Sequence, residues 1–472
     1  MALTTDEEVK VRQIITAFTN GKKVSDLSSV TSILGGETME IIQNGVSKKV
    51  TIDQLRIAAT PDANGCYPDV PLNRVSIQRY SGQESTVPTM EGNLSIIDKI
   101  KATAYPCLID RSSKVVAKLN GNTMRKTADG TVAVLNDWTM PAMLAIGGIW
   151  FKYEYNAATN VKTYKFSTLK VLGYKYIRRR FLNLFGGSIY NDGTKNYLTS
   201  RSGVFTTQNT SLVNYQAYAL NMGSNFRAIA AQDQEVYRFY FWLIEQNFNS
   251  QAIIRGICDV NSTNWSLYSR TGDTDGAGIA GQSSYAQMYK TGEFTLDIVG
   301  HKGSGTNTVT MNSVATTVAP YKWLWREGML AGPYWLYMTG YLILGNKVYK
   351  AKDLKNIHLS DVTTANIATY YDYYCDIAAD SGFILENFEG SLIPSLVGGT
   401  DSKGMADYLY RPTYNETTLY IPAGLGAAYN GSNGGLSLLH SDYGVSTTNP
   451  SCGGALASDD PADTISDGTI AA

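Results

Sequence analysis

Residues 424–457 read GLGAAYNGSNGGLSLLHSDYGVSTTNPSCGGALA, a run of glycine, serine, asparagine, threonine and tyrosine. Asp442 is its only carboxylate, and it holds no lysine or arginine. Short apolar pairs such as Leu438-Leu439 interrupt it at intervals. Two readings follow from composition alone. The stretch is either a glycine-rich loop with no partner or an ordered surface that displays small polar and aromatic side chains. The fold assigned to the C-terminal half depends on which reading holds.

The rest of the chain favours order. Of 472 residues, 43% are hydrophobic, ordinary for a folded protein and enough for a sizeable core. Only 17% are charged, against roughly 25% in typical soluble domains. The polar surface therefore rests on Ser, Thr, Asn, Gly and the hydroxyls of 32 tyrosines. Such a composition suits extracellular, virion and adhesive β-rich proteins, because tyrosine offers a large contact area at low rotamer cost. The formal charge of −1 implies no nucleic-acid or anionic-membrane partner. One basic run, Tyr174-Lys175-Tyr176-Ile177-Arg178-Arg179-Arg180-Phe181, stands out and reads as a solvated strand edge or a structural arginine cluster.

Cys66, Cys107, Cys258, Cys375 and Cys452 are widely spaced with no C-x-x-C, which points to free thiols and away from a zinc site. No apolar run approaches the ~20 residues of a membrane span. The opening residues lack the basic and apolar regions of a signal peptide, so synthesis in a cytoplasm without export by that route is expected.

Along the chain, Thr5 followed by Glu8 forms a capping-box pattern, and Val11, Ile14, Ile15 and Phe18 share one helical face. Met39–Gln43 and Val46–Ile52 flank Asn44-Gly45, a strong hairpin signal because a type I′ turn needs two residues at positive φ. This unit, residues 1–60, is too short to bury much core by itself. Residues 61–100 read as a linker or neck, 101–457 as one large α+β domain of short strands, and 458–472 as a loosely held tail. Thr131–Leu135 and Ile149–Tyr153 are strand candidates. One helix is expected after Asp233, with Asp233 as its cap and Val236, Phe239, Tyr240 and Leu243 buried.

Signals for chemistry are sparse. His301, His358 and His440 lie far apart, without a nucleophile elbow, and read as solvated or core histidines. Asp273-Thr274-Asp275-Gly276 begins like a calcium loop but lacks its later ligands, so an ordinary turn is the better reading. Glu386 with Glu389 could serve a glycosidase, though carboxylates this close occur in most proteins. No catalytic residue, metal or cofactor is assigned.

Several segments, in this order, resemble phage fibre proteins that end in a C-type-lectin-fold variable domain of the kind diversified by retroelements. They are Ile149–Tyr153, Gly187–Tyr190, Leu198–Gly203, Phe241–Gln251, Trp325–Gly328 leading into Trp335–Gly340, and Gly382–Ile384 with Ile393-Pro394 and Val397–Gly399. Phe241–Gln251, FWLIEQNFNSQ, is similar to the family's YLIEYGNFNSQ element. Gly36–Val50 resembles the virion-attachment head of phage fibres. The chain departs from the family in lacking the Asn-Pro of the Trp325 segment and the arginine of the closing GxRL, where Gly454-Ala455-Leu456 stands.

The resemblance implies an α+β fold: a small helix-plus-hairpin attachment unit, then a strand-rich C-type-lectin-like domain. It implies attachment to other virion proteins through residues such as Val11, Ile14, Phe18, Ile41, Asn44 and Gly45. It implies that Tyr429, Asn430, Ser432, Asn433, Ser437, His440, Ser441, Asp442, Tyr443, Ser446, Thr447, Thr448, Asn449 and Ser451 are interchangeable receptor-binding positions. The frame between them would be Gly434–Leu436, Leu438-Leu439 and Gly453–Leu456. The implied protein is a non-enzymatic homotrimer on the virion surface, assembled in the host cytoplasm. Its partner would be a bacterial glycan or an outer-membrane protein, with no nucleic acid bound and no membrane insertion. Two alternatives stay open: a structural capsid decoration and a fibre-borne polysaccharide-degrading enzyme.

Overall fold

The computed structural model describes residues 60–82, 85–121, 126–202, 204, 206–250, 334–355, 359–426, 433–449 and 451–465, with strand segments 38–43, 46–51, 307–311, 314–318 and 322–327. Among them are the helices α1 (Ser95–Lys101), α2 (Leu212–Met222), α3 (Ala231–Glu245) and the single-turn α4 (Ile367–Tyr370). The remainder is mostly antiparallel strand, so the architecture is strand-rich α+β.

Three sheets carry the bulk of it. A five-stranded sheet runs in the order Lys175–Ile177, Ile149–Asn156, Val161–Ser167, Val75–Tyr80, Thr89–Gly92. A six-stranded sheet runs Phe226–Ala228, Leu456–Asp459, Arg180–Asn183, Ala142–Ile146, Tyr105–Ile109, Val115–Lys118. A ten-stranded sheet holds Tyr341–Leu344, Tyr420–Gly424, Leu439–Gly444 and Tyr408–Tyr410 at its centre, with Trp335–Tyr337 and Cys452–Gly453 joined off that path. Ala142–Ile146 is apolar throughout and buried at every residue, as a central strand covered on both faces must be.

Helix α3 lies at the centre of this arrangement, and every residue from Ala231 to Leu243 is buried. The expected face of Val236, Phe239, Tyr240 and Leu243 is inside, but so is the polar face. Gln232, Asp233, Gln234, Glu235 and Arg238 are therefore obliged to find partners. Arg227 Nη2 donates to Asp233 Oδ1 at 2.9 Å and Arg180 Nη1 to the same atom at 3.1 Å. Burial alone would raise the Asp233 carboxyl, but the two guanidinium charges outweigh it and hold the group below the usual carboxylate range. Asp233 is thus not the cap residue that its position suggests. It sits at the third helical position, and its Oδ2 accepts the Ala230 backbone N–H at 2.8 Å.

Three other expectations change. Residues 61–100 are not a linker from Cys66 onward, because Val75–Tyr80 pairs along its whole length with Val161–Ser167, and Val75, Ile77, Ile96 and Ile100 are core residues. Pro, Gly and Asn mark turns there without marking a boundary. The chain from Ser458 to Asp463 is not a loose tail either: Leu456–Asp459 is a strand, and Asp463 Oδ2 accepts from Tyr176 Oη at 2.9 Å. Thr131–Leu135 forms no strand, and Val132 and Val134 are 75% and 53% exposed. The hairpin, by contrast, has the expected register: Thr38–Gln43 pairs antiparallel with Val46–Thr51, Gln43 opposite Val46. Val11, Ile14, Phe18, Asn44 and Gly45 lie outside the described residues, as does the side chain of Ile41.

Among the described residues no helix is long and apolar enough to cross a membrane, and no group of three metal-ligating side chains forms. Cys66, Cys107, Cys375 and Cys452 are buried, and none forms a disulfide among the described residues. The Asp273–Gly276 turn, Cys258, His301 and His358 lie outside the described residues.

Candidate functional surface

The strand Leu439–Gly444 decides what the glycine-rich stretch presents. It pairs antiparallel with Tyr420–Gly424 and parallel with Tyr408–Tyr410. A regular strand would place His440 with Asp442 on one face and Ser441 with Tyr443 on the other. The pairing instead slips: Ile421 faces Tyr443 and Ala423 faces His440, so the single residue Pro422 opposes the two residues Ser441 and Asp442. This is a β-bulge, and proline is tolerated at a bulge because it has no N–H to give the ladder. The extra residue brings His440 and Tyr443 to the same face, with rings stacked at 4.8 Å and 21°.

Around them the sheet builds an aromatic stripe. Trp335 lies beneath His440 at 4.5 Å, and Tyr410 is 5.5 Å from the same ring. Tyr408 stands 4.5 Å from Tyr410, Phe383 packs edge-on to Tyr408 at 5.2 Å, and Tyr337 meets Tyr443 at 5.3 Å. Trp335 and Tyr337 are buried, whereas Phe383, Tyr408, Tyr410, His440 and Tyr443 are partly open. The floor therefore fixes the rings above it. Asn433 Nδ2 donates to Tyr410 Oη at 2.5 Å, tying the 433–438 segment to the stripe. His440 Nδ1 lies 2.8 Å from Asp442 Oδ1, within ion-pair reach when the ring is protonated but off the line of a hydrogen bond.

The fourteen positions singled out in the sequence divide sharply. Asp442, Ser446 and Thr448 are exposed, and Asn433, His440, Tyr443, Thr447 and Asn449 are half-buried. Ser437, Ser441 and Ser451 are buried, so these three are not surface contacts. Ser437 accepts from Arg238 Nη1 at 3.0 Å, and its N–H donates to Asp407 Oδ2 at 2.6 Å. Ser441 bonds the Tyr414 hydroxyl and lies over the Tyr410 carbonyl at 3.3 Å. Thr447 and Asn449 do structural work as well, accepting the Gly444 and Ser451 N–H groups at 3.1 and 2.8 Å. Tyr429, Asn430 and Ser432 lie outside the described residues.

Beneath the surface the frame is fixed by close approaches. A Cβ on Gly435 would come 1.9 Å from Asp407 Oδ1, and one on Gly454 would lie 2.6 Å from the Tyr215 ring. Leu436, Leu438 and Leu439 are fully or almost fully buried. Asp407 itself is fully enclosed; burial pushes its carboxyl well above the usual range, and the Ser437 N–H and Arg238 offset only part of that rise.

Of the carboxylate pair weighed for sugar cleavage, Glu386 is buried and Glu389 is exposed. Glu386 is ion-paired with Lys162 and accepts the Gly82 N–H. Burial raises its carboxyl, but those partners hold it below the ordinary range, where it is a poor proton donor.

Composition points to Tyr443 and His440 but misses Trp335, Tyr337, Phe383, Tyr408 and Tyr410. The available signal is Tyr408-Leu409-Tyr410, an alternation around a buried leucine. No protein-family model and no curated protein matches the chain.

Proposed function

We propose that the chain is a non-enzymatic bacteriophage fibre protein whose C-terminal domain has a C-type-lectin fold and binds a receptor on the host surface. Residues 1–60 attach it to other virion proteins, and it acts as a homotrimer on the virion. The receptor is a bacterial glycan or an outer-membrane protein, engaged by the face that carries Tyr410, His440, Asp442 and Tyr443. The observation that carries this reading is the division of the 433–451 stretch into a buried frame and an outward aromatic and small-polar face. Such a face suits recognition, since partly exposed aromatics held on a rigid base lose little entropy on binding and supply most interface energy. The ordered series of segments resembling phage fibres supports the same reading.

Sequencing this gene across residues 405–460 in many sibling phages tests it. Substitutions are expected at His440, Asp442, Tyr443, Ser446 and Thr448, with Ser437, Ser441, Ser451, Gly435 and Gly454 constant. A region as invariant as the rest of the gene would overturn the diversified-receptor reading and favour a structural decoration of the capsid.

A further inference from the structure

A second feature lies away from the aromatic stripe. A cavity of about 690 Å³ opens between the edge of the five-stranded sheet, one face of α3, the Lys347–Ala351 strand and the Gly390-Ser391 turn. Its volume falls within the roughly 300–1,000 Å³ typical of small-molecule sites. Eight lysine and arginine side chains line it against four carboxylates. The basic run that begins at Tyr174 supplies part of that wall: Lys175–Ile177 is the edge strand, and Arg178 and Arg180 follow it.

The charges are not spread evenly. At the back, Arg180 and Arg227 are paired with Asp233, Arg227 reaches Asp459 at 3.2 Å, and Glu235 accepts from Tyr341 Oη at 2.9 Å and Leu392 N at 2.8 Å. That layer is held together by these mutual contacts, with Arg227 Nε left without a hydrogen-bond partner. At the mouth, Lys152 pairs with Glu154 at 2.7 Å and Lys352 with Asp372 at 3.4 Å. Lys175, Lys350 and Lys355 have no carboxylate within ion-pair distance among the described residues. Lys350 Nζ instead stands 5.1 Å from the centroid of Tyr374. Beside these cations the wall is aromatic: Phe151 and Phe239 stack at 4.8 Å, and Tyr153 and Tyr374 line the same space.

An inorganic anion would need the lysines but not the aromatic wall, and a neutral sugar would need the wall but not the lysines. A pyranose that carries a carboxylate uses both, its C–H face on the rings and its charge on the ammonium groups. We propose that this cavity is a binding site for an acidic saccharide of the uronic type, with Lys175, Lys350 and Lys355 holding the carboxylate. The site is separate from the His440 surface, and its existence does not depend on the receptor reading.

Isothermal titration calorimetry on the full chain tests the proposal, with a uronic-acid oligosaccharide, the free uronic acid, the carboxyl-reduced oligosaccharide and inorganic phosphate as probes. The oligosaccharide is expected to bind, to weaken as salt rises, and to lose about tenfold or more in affinity in the Lys175→Glu/Lys350→Glu variant. Binding of the free uronic acid at similar affinity assigns the site to a single residue, and much weaker binding assigns it to a chain. Lys355→Glu, on a different segment, provides a second reading if the double variant does not fold. Equal binding of the carboxyl-reduced sugar overturns the role of charge, and equal binding of phosphate reduces the site to a nonspecific anion patch. No binding, or binding unchanged by every variant, overturns the proposal.

Discussion

Tyrosine placed at two positions of the same stretch separates the buried frame from the displayed face. Ser437 is fully buried, its hydroxyl accepts from Arg238 Nη1 at 3.0 Å, and its N–H is tied to Asp407. In Ser437→Tyr a phenol must enter a closed site, and such overpacking costs about 1–3 kcal/mol. The same ring displaces the Arg238 hydrogen bond, and a bond to a charged group contributes about 1.5–3 kcal/mol. The two together come to about 2.5–6 kcal/mol of lost stability. Asp442 has a side chain 46% exposed, and its replacement by tyrosine should alter stability by no more than about 0.5 kcal/mol. Urea unfolding followed by tryptophan fluorescence compares the two. At a slope of about 3 kcal/mol per molar, the Ser437→Tyr midpoint should fall by about 1–2 M while that of Asp442→Tyr stays near the parent. Equal midpoints would refute the inward placement of Ser437 and with it the frame on which the surface reading rests.

Two further outcomes are expected. Tyr443→Ala should weaken adsorption of purified protein to host cells by about 1–3 kcal/mol, or roughly five- to 150-fold in dissociation constant, with the fold retained by circular dichroism; unchanged adsorption by the folded variant would remove Tyr443 from the contact. Asp407 binds its proton more tightly in the folded chain than in the unfolded one, so its contribution to stability is complete below about pH 3.9 and declines as pH rises toward the elevated folded value. Asp407→Asn, which keeps an oxygen for the Ser437 N–H, should remove that decline, and a parent and variant with the same pH slope in urea unfolding between pH 4 and 8 would show that the burial of Asp407 has been misread.

Local periodicity carried part of the fold into view. The α3 face, the Ile149 strand and the hairpin around Asn44-Gly45 were legible because each is written in residues close in sequence. The 66–100 segment was not, because its turn residues are local while its partner strand Val161–Ser167 lies some eighty residues away. Asp233 misled for a related reason. A carboxylate before an apolar run looks like a cap, but here Arg227 and Arg180 also claim it, and the cap position falls three residues earlier, at Ala230.

The candidate surface shows the same limit at finer scale. Serine, asparagine and tyrosine in a glycine-rich run say that a surface is possible without saying which side chains face outward. That choice depends on strand parity, and parity here is reset by a bulge opposite Pro422, nineteen residues before Ser441. Without the bulge, Tyr443 would share the inward side with Ser441, and the His440–Tyr443 stack could not form. Ser437 is inward for a different reason, because it closes a network between Arg238 on α3 and Asp407 that no local pattern encodes. Arg238 also donates to the Gly390 carbonyl at 2.6 Å, on the turn that borders the basic cavity. One buried guanidinium therefore braces both the base of the aromatic face and a wall of the cavity, so the two sites rest on a common frame while presenting different chemistry to solvent.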